Sequence, residues 1–175
     1  MKRIMVIGVS AGAGKSTLAR RLGEELEIEV IHLDRLYWRP GWVESPLDEF
    51  RASQQENVQK EKWIIEGNYS NSFDIRAEKA DTIVYIELPL SICLYRVVKR
   101  WITNIGKNRP DMADGCAEKL DWKFIKFIVK TYNQRKKTMA ERIEAFRKKK
   151  KKVYILKSEK EVRSFTMRLK IEMQN

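Results

Sequence analysis

Residues 4–17, Ile-Met-Val-Ile-Gly-Val-Ser-Ala-Gly-Ala-Gly-Lys-Ser-Thr, constrain this chain more than any other segment. Four apolar residues in a row, Ile4 to Ile7, read as a short strand buried on both faces. A turn of small residues follows, and a helix starts at Lys15. Backbone N–H groups of such a turn point inward and form an anion nest, to which the helix N-terminus adds its positive dipole end. Gly12 and Gly14 carry no Cβ to hold the backbone away from an anion. Gly12, Ala13, Gly14, Lys15, Ser16 and Thr17 are therefore candidate phosphate-binding residues. In a phosphate loop of this kind the lysine reaches the β- and γ-phosphates and the serine hydroxyl binds Mg²⁺. The strict spacing places glycine at position 9, where this chain has Val9 beside Gly8. A dinucleotide fingerprint is excluded, because Lys15-Ser16-Thr17 follows Gly14 with no third glycine.

The rest of the chain repeats the alternation of strand and helix. Residues 30–33, 63–66, 82–86 and 153–156 are short apolar runs that read as strands. Residues 15–26, 47–60, 90–102, 121–147 and 159–171 read as helices. Alternating elements of this kind predict an α/β fold in three layers, a five-stranded parallel sheet with helices on both faces. A length of 175 residues predicts one domain spanning 1–175. The irregular stretch 103–120, with Gly106, Pro110 and Gly115, suits a mobile lid.

Charge is unevenly distributed along the chain. The net charge is +12, but residues 1–88 carry 12 basic and 15 acidic side chains while residues 89–175 carry 24 and 9. The whole excess lies in the second half and predicts a polyanionic partner. Two cysteines and one histidine, His32, exclude a disulfide framework and a Cys/His zinc site. No run approaches a membrane span and no apolar leader follows Met1-Lys2-Arg3, so a cytoplasmic protein with no membrane partner is expected.

A phosphate loop leaves the reaction open. No Asn-Lys-x-Asp base reader is present, which disfavours a GTPase switch. No strand ends in Asp-Glu, as large assembly ATPases require. Asp34 ends the second strand, where ligands of open α/β sheets bind. A carboxylate there can accept a substrate hydroxyl proton or hold Mg²⁺ through water. Glu87 also ends a strand but has no evident partner. Along the long helix, Ile125, Ile128, Tyr132, Met139, Ile143 and Phe146 form a buried seam at spacings of three and four. Arg135 falls where the missing member of that seam belongs. A guanidinium on an inward stripe is costly unless an anion meets it, so Arg135 is expected to face the phosphate site. Tyr37, Trp38 and Trp42 surround Pro40-Gly41 and are candidates for an acceptor pocket or for stacking a base.

These segments together resemble the small P-loop kinases related to adenylate kinase, and more closely the bacterial DNA topology modulation protein family. The resemblance covers nearly the whole chain. It rests on the phosphate loop, on residues 32–42, on Trp63-Ile64-Ile65-Glu66-Gly67-Asn68-Tyr69, and on Arg76 ahead of residues 80–84. It implies that Glu66 helps order Mg²⁺, and that Arg100 meets the nucleotide where the lid begins, with Arg109 near the lid tip. It also implies that Gly67, Asn68 and Arg76 line the acceptor side. Adenylate kinases carry an arginine just after the position of Gly67-Asn68 to grip an acceptor phosphate, and this chain has Tyr69 there. The expected function is an ATP- and Mg²⁺-dependent phosphotransferase acting on a small acceptor. The alternative is a nucleic-acid-binding or regulatory ATPase, for which Arg147 followed by Lys148 to Lys152 is the best support.

Overall fold

A computed structural model describes residues 1–174, with side chains through Leu169. The elements run β1 (Arg3–Gly8), α1 (Lys15–Leu26), β2 (Val30–His32), α2 (Leu33–Tyr37), β3 (Trp38–Arg39), β4 (Val43–Glu44), α3 (Leu47–Asn57), β5 (Trp63–Glu66), α4 (Phe73–Lys79), β6 (Thr82–Ile86), α5 (Leu90–Thr103), α6 (Trp122–Lys148), β7 (Lys152–Leu156) and α7 (Glu159–Gln174). The five main strands form one parallel sheet in the order β2-β5-β1-β6-β7. Strand β1 lies at its centre, and Ile4, Met5, Val6 and Ile7 have no exposed surface. Burying each such side chain is worth about 1.5–3 kcal/mol, which explains why the central strand reads as an unbroken apolar run.

The crossovers sort the helices between the two faces. The connection through α1 moves leftward from β1 to β2, whereas those through α3, α4 and α5–α6 move rightward. Right-handed crossovers therefore put α1 on one face and the others on the opposite one. Helix α7 packs beside α1, and the rings of Phe73 and Phe146 stack at 6.0 Å to join α4 to α6. The α/β three-layer expectation holds, with five parallel strands.

Five short elements were not anticipated. Residues 33–46 fold into α2 and an antiparallel β3–β4 hairpin, and α4 follows a single 3-10 turn at Ser70–Ser72. The hairpin is held from a distance. Gly41 N–H donates to the Gly115 carbonyl (3.0 Å) and Trp42 Nε1 donates to the Ala117 carbonyl (3.1 Å). Glu87, expected to lack a partner, forms an ion pair with Lys136 at 3.1 Å. The basic run has a partial structural role. Lys151 Nζ donates to the carbonyls of Glu78 (2.9 Å) and Ala80 (2.5 Å), satisfying acceptors at the C-terminal end of α4.

Arg76 is corrected by the structure. Its side chain is fully buried and lies behind the 67–72 segment instead of lining an open surface. It donates to Gln54 Oε1 and to the backbone carbonyls of Ser72 (3.1 Å) and Tyr69 (3.3 Å). Burial pulls the guanidinium down to about 9. Gln54 in turn donates to Ser72 Oγ (2.9 Å) and the Phe50 carbonyl (3.1 Å), so one buried network braces the segment leading out of β5. Replacing Gln54 by Met removes one of the two side-chain acceptors of Arg76 and leaves Ser72 Oγ at 3.2 Å. The expected loss is about 1.5–3 kcal/mol, read as a lower urea midpoint at unchanged m-value. An unchanged midpoint would show that the network does not brace this segment.

Candidate functional site

Parallel sheets place their binding crevice beyond the carboxyl ends of the strands, and here a cleft of about 1700 Å³ opens at that edge. The loop from β1 to α1 forms its floor. Gly12 and Gly14 have φ angles of +76° and +95°, in the left-handed region that favours glycine. At Gly12 the space is also closed, since a Cβ would stand 2.2 Å from the Cys93 carbonyl at the start of α5. Gly8 N–H donates to Asn68 Oδ1 (3.1 Å), tying this loop to the end of β5.

Glu66 is the hub beneath the loop. It is 4% exposed, and its Oε2 accepts from Ser16 Oγ (3.2 Å) and lies 3.0 Å from His32 Nδ1. Lys15 Nζ stands 3.9 Å from Glu66 Oε1 and donates to the Ser10 carbonyl (3.4 Å). A serine hydroxyl beside a carboxylate supplies the hard oxygen donors that Mg²⁺ prefers. Among the described residues no group of three or more His, Cys, Asp and Glu side chains forms a metal cage. The donor set therefore fits a cation that completes its shell with phosphate oxygens and water, as Mg²⁺ usually does at nucleotide sites.

Asp34 lines the cleft from α2, and Tyr69 Oη donates to its Oδ1 at 2.6 Å. Burial first, and then the negative charge of Glu66, raise the Asp34 carboxyl above the usual carboxylate range against the opposing pull of Tyr69, Lys15 and Arg109. Trp38 and Trp42 line the same wall, their rings 5.4 Å apart. Tyr37 stands behind them, packed on Phe50 and Tyr69 at 5.1 and 4.7 Å. Gly67 and Asn68 also line the cleft, while Arg76 does not.

Segment 103–120 covers the cleft beside the hairpin that carries Trp38 and Trp42. Arg100 and Arg109 line the cleft as expected, but both guanidiniums already have carboxylates. Arg109 meets Asp111 at 2.9 Å and Glu118 at 2.6 Å, and Arg100 meets Glu118 at 3.1 Å. Burial, and next the neighbouring Arg109 charge, lower the Arg100 guanidinium. Burial acts to raise the Asp111 carboxyl, yet the Arg109 charge and a hydrogen bond from Ser16 leave it below its usual value. Arg135 lines the cleft from α6, with no carboxylate partner among the described residues and its guanidinium 4.8 Å from the centre of the Phe127 ring.

Sequence reasoning missed Tyr69, Asp111, Glu118 and Arg142. Arg142 carried a readable signal, lying seven residues beyond Arg135 on the same stripe. The two acids carried none, because lid carboxylates follow no period.

No protein-family model matches the sequence, and no curated protein matches it. Solved structures are similar in shape. Shikimate kinase from Aquifex aeolicus vf5 matches with a TM-score of 0.57 and 16% identity over 98% of this chain and 96% of that one. Shikimate kinase from Acinetobacter baumannii, in complex with shikimate, matches at 0.56 and 14% over 100% and 94%. Deoxyadenosine kinase from M. mycoides, with bound dATP, matches at 0.51 and 12% over 97% and 99%. The chain therefore has the fold of the P-loop kinases. Among the described residues no helix is long and apolar enough to cross a membrane.

Because the Asp34 carboxyl is raised by burial, its ionised form opposes folding near neutral pH. That cost vanishes once the pH falls below the usual carboxylate value, where folded and unfolded chains are both protonated. Asp34→Asn is therefore expected to be more stable than wild type at pH 7, with the difference closing toward about pH 4. Parallel thermal melts across that range check the sign, and a variant less stable at pH 7 would contradict it.

Proposed function

We propose that this protein is an ATP- and Mg²⁺-dependent phosphotransferase acting on a small hydroxyl-bearing acceptor. The single observation that carries the reading is the convergence of Lys15, Ser16 and Glu66 with Asp34 and two cationic walls in one cleft. Backbone N–H groups of Gly12 to Thr17 receive the phosphates of the donor, and Lys15 neutralises charge on the β- and γ-phosphates. Ser16 and Glu66 would hold Mg²⁺, which would supply charge neutralisation when bound.

Asp34 accepts the proton of the acceptor hydroxyl. The acceptor oxygen then bonds to the γ-phosphorus as the bond to the β–γ bridging oxygen breaks, and the nucleoside diphosphate departs with that electron pair. The raised Asp34 carboxyl is a stronger base than a solvated one, and Tyr69 fixes its orientation through Oδ1. Arg100, Arg109 and Arg135 meet charge on the transferring group, and segment 103–120 acts as the lid that excludes water. Trp38, Trp42, Gly67 and Asn68 form the acceptor wall, with Tyr37 and Arg76 supporting it from behind. We read the chain as one catalytic domain working in the cytoplasm. Its placement among the DNA topology modulation proteins rests on the sequence segments that resemble that family. The kinase folds of the structural neighbours support phosphoryl transfer as the class of reaction.

The test is label transfer from γ-labelled ATP with Mg²⁺ to a panel of nucleosides, nucleotides, sugars and hydroxy acids. Lys15→Ala and Asp34→Ala are each expected to lower kcat/KM by about 100-fold or more. Asp34→Ala should act mainly on kcat. Hydrolysis of ATP at one rate with every acceptor, and no labelled product, would replace the kinase reading with an ATPase. A salt-dependent shift of duplex DNA that survives Lys15→Ala would favour a nucleic-acid role for the basic half.

A further inference from the structure

The cleft-facing side of α6 bears a stripe of Thr131, Arg135, Thr138 and Arg142, spaced four, three and four residues apart. Most arginines lining the cleft from the lid side are matched by acids, as Arg96 is by Glu159 and Arg100 and Arg109 are by Glu118. Arg135 and Arg142 are different. Both are half-buried, and neither has a hydrogen bond or a carboxylate among the described residues; each guanidinium instead meets an aromatic ring.

Arg142 stands 3.8 Å from the centre of the Phe73 ring, and the fully buried Arg76 meets the same ring at 5.8 Å. Two cations therefore share one ring. Asp74, which pairs with Arg51 at 2.8 Å, and Glu66 act on Arg76 from a distance, but neither pairs with Arg142. Burial alone lowers the Arg142 guanidinium, with no acid opposing it. Ser70 and Asn71, just ahead of Phe73 in the chain, also line the cleft.

We propose that Arg142, with Thr138 and Asn71, forms an anion subsite at the far end of the acceptor cleft, so that the acceptor is an alcohol bearing a carboxylate or phosphate away from its reacting hydroxyl. Arg142 lies two helical turns from Arg135, about 10 Å along α6. That spacing lets one anionic molecule reach Arg142 while its hydroxyl end lies toward the transferring group. A cleft of about 1700 Å³ exceeds the about 300–1,000 Å³ of a single small-ligand site, leaving room for donor and acceptor together. A guanidinium desolvated over a ring gains most from a bidentate oxyanion, which a lysine cannot reproduce.

The assignment of this end to the acceptor rests on the kinase reading, but the anion site is tested without turnover. The protein is first saturated with Mg²⁺ and a non-hydrolysable ATP analogue, which fills the phosphate loop. Inorganic phosphate and acetate are then titrated as separate probes, and thermal stabilisation is read against each variant's own nucleotide-loaded baseline. The wild type is expected to be stabilised by one or both, and the stronger probe names the anion. Arg142→Met, which keeps an aliphatic stem over Phe73, should weaken the apparent affinity about ten-fold, and Arg142→Lys should recover only part of it. Absence of stabilisation by both anions, or an equal response in Arg142→Met, overturns the subsite.

Matched alcohols with and without the anionic group supply the second arm. Tighter binding of the anionic members, lost in Arg142→Met, supports the acceptor class. Equal binding of the neutral members overturns it. A 5′-hydroxyl oligonucleotide that binds more tightly than every small anion also overturns it, and reassigns the stripe to nucleic acid. Phosphate binding by a protein that transfers no label would retain the subsite while the kinase reading fails.

Discussion

A nearly fully buried carboxylate governs the organisation of this protein. Glu66 is 4% exposed at the end of β5, and an ionised carboxylate in that position is costly unless charged and hydrogen-bonding groups surround it. Its partners come from different elements: His32 from β2, Ser16 and Lys15 from the first turn of α1. Satisfying Glu66 thus fixes the start of α1 over the carboxyl end of the sheet. The β1–α1 loop has no freedom to drift once that end is set, because Gly12 also abuts the Cys93 carbonyl. One local electrostatic requirement therefore orders three strands, a helix and the loop between them.

The sheet was legible because a parallel strand covered on both faces needs an unbroken apolar run, and four such runs stand between polar helices. The tight turn between β1 and α1 was legible because its glycines answer a backbone demand that local sequence records. Arg135 was legible as the break in an otherwise apolar stripe. Residues 33–46 and 68–80 were not. Helix α2 has five residues and strands β3 and β4 two each, too few to display a period. Their geometry depends on partners about 75 positions away, as in the bond from Trp42 to the Ala117 carbonyl. Arg76 shows the same limit from the other side. Its residue type marks it as a cation for an acceptor, but only the three-dimensional placement of Gln54 and Ser72 shows that it is spent on holding the chain.

The excess positive charge resolves into groups with different physics. Lys151 is bound by carbonyls at the end of α4, and Lys136 by Glu87, so part of the surplus serves the fold. Arg100 and Arg109 are neutralised by Glu118 and Asp111 inside the lid. On the kinase reading, phosphate therefore reaches these two guanidiniums by exchange with carboxylates and not by entering an empty electropositive hole. Asp111 is the natural group to yield, because it pairs with Arg109 alone whereas Glu118 holds both arginines.

Such an exchange makes binding depend on a difference between two charge pairings, which is smaller than either pairing alone. On the same reading it would couple segment 103–120 to a nucleotide, since Arg109, Asp111 and Glu118 sit on that segment and Arg100 stands in the last turn of α5 just before it. Arg135 and Arg142 follow the other rule. Among the described residues they have no acid to release, so an anion beside α6 gains their full attraction once the cost of its own desolvation is met. The two walls of the cleft thus differ in what they ask of a ligand: the lid must rearrange its own charges to receive one, while α6 already presents unpaired cations.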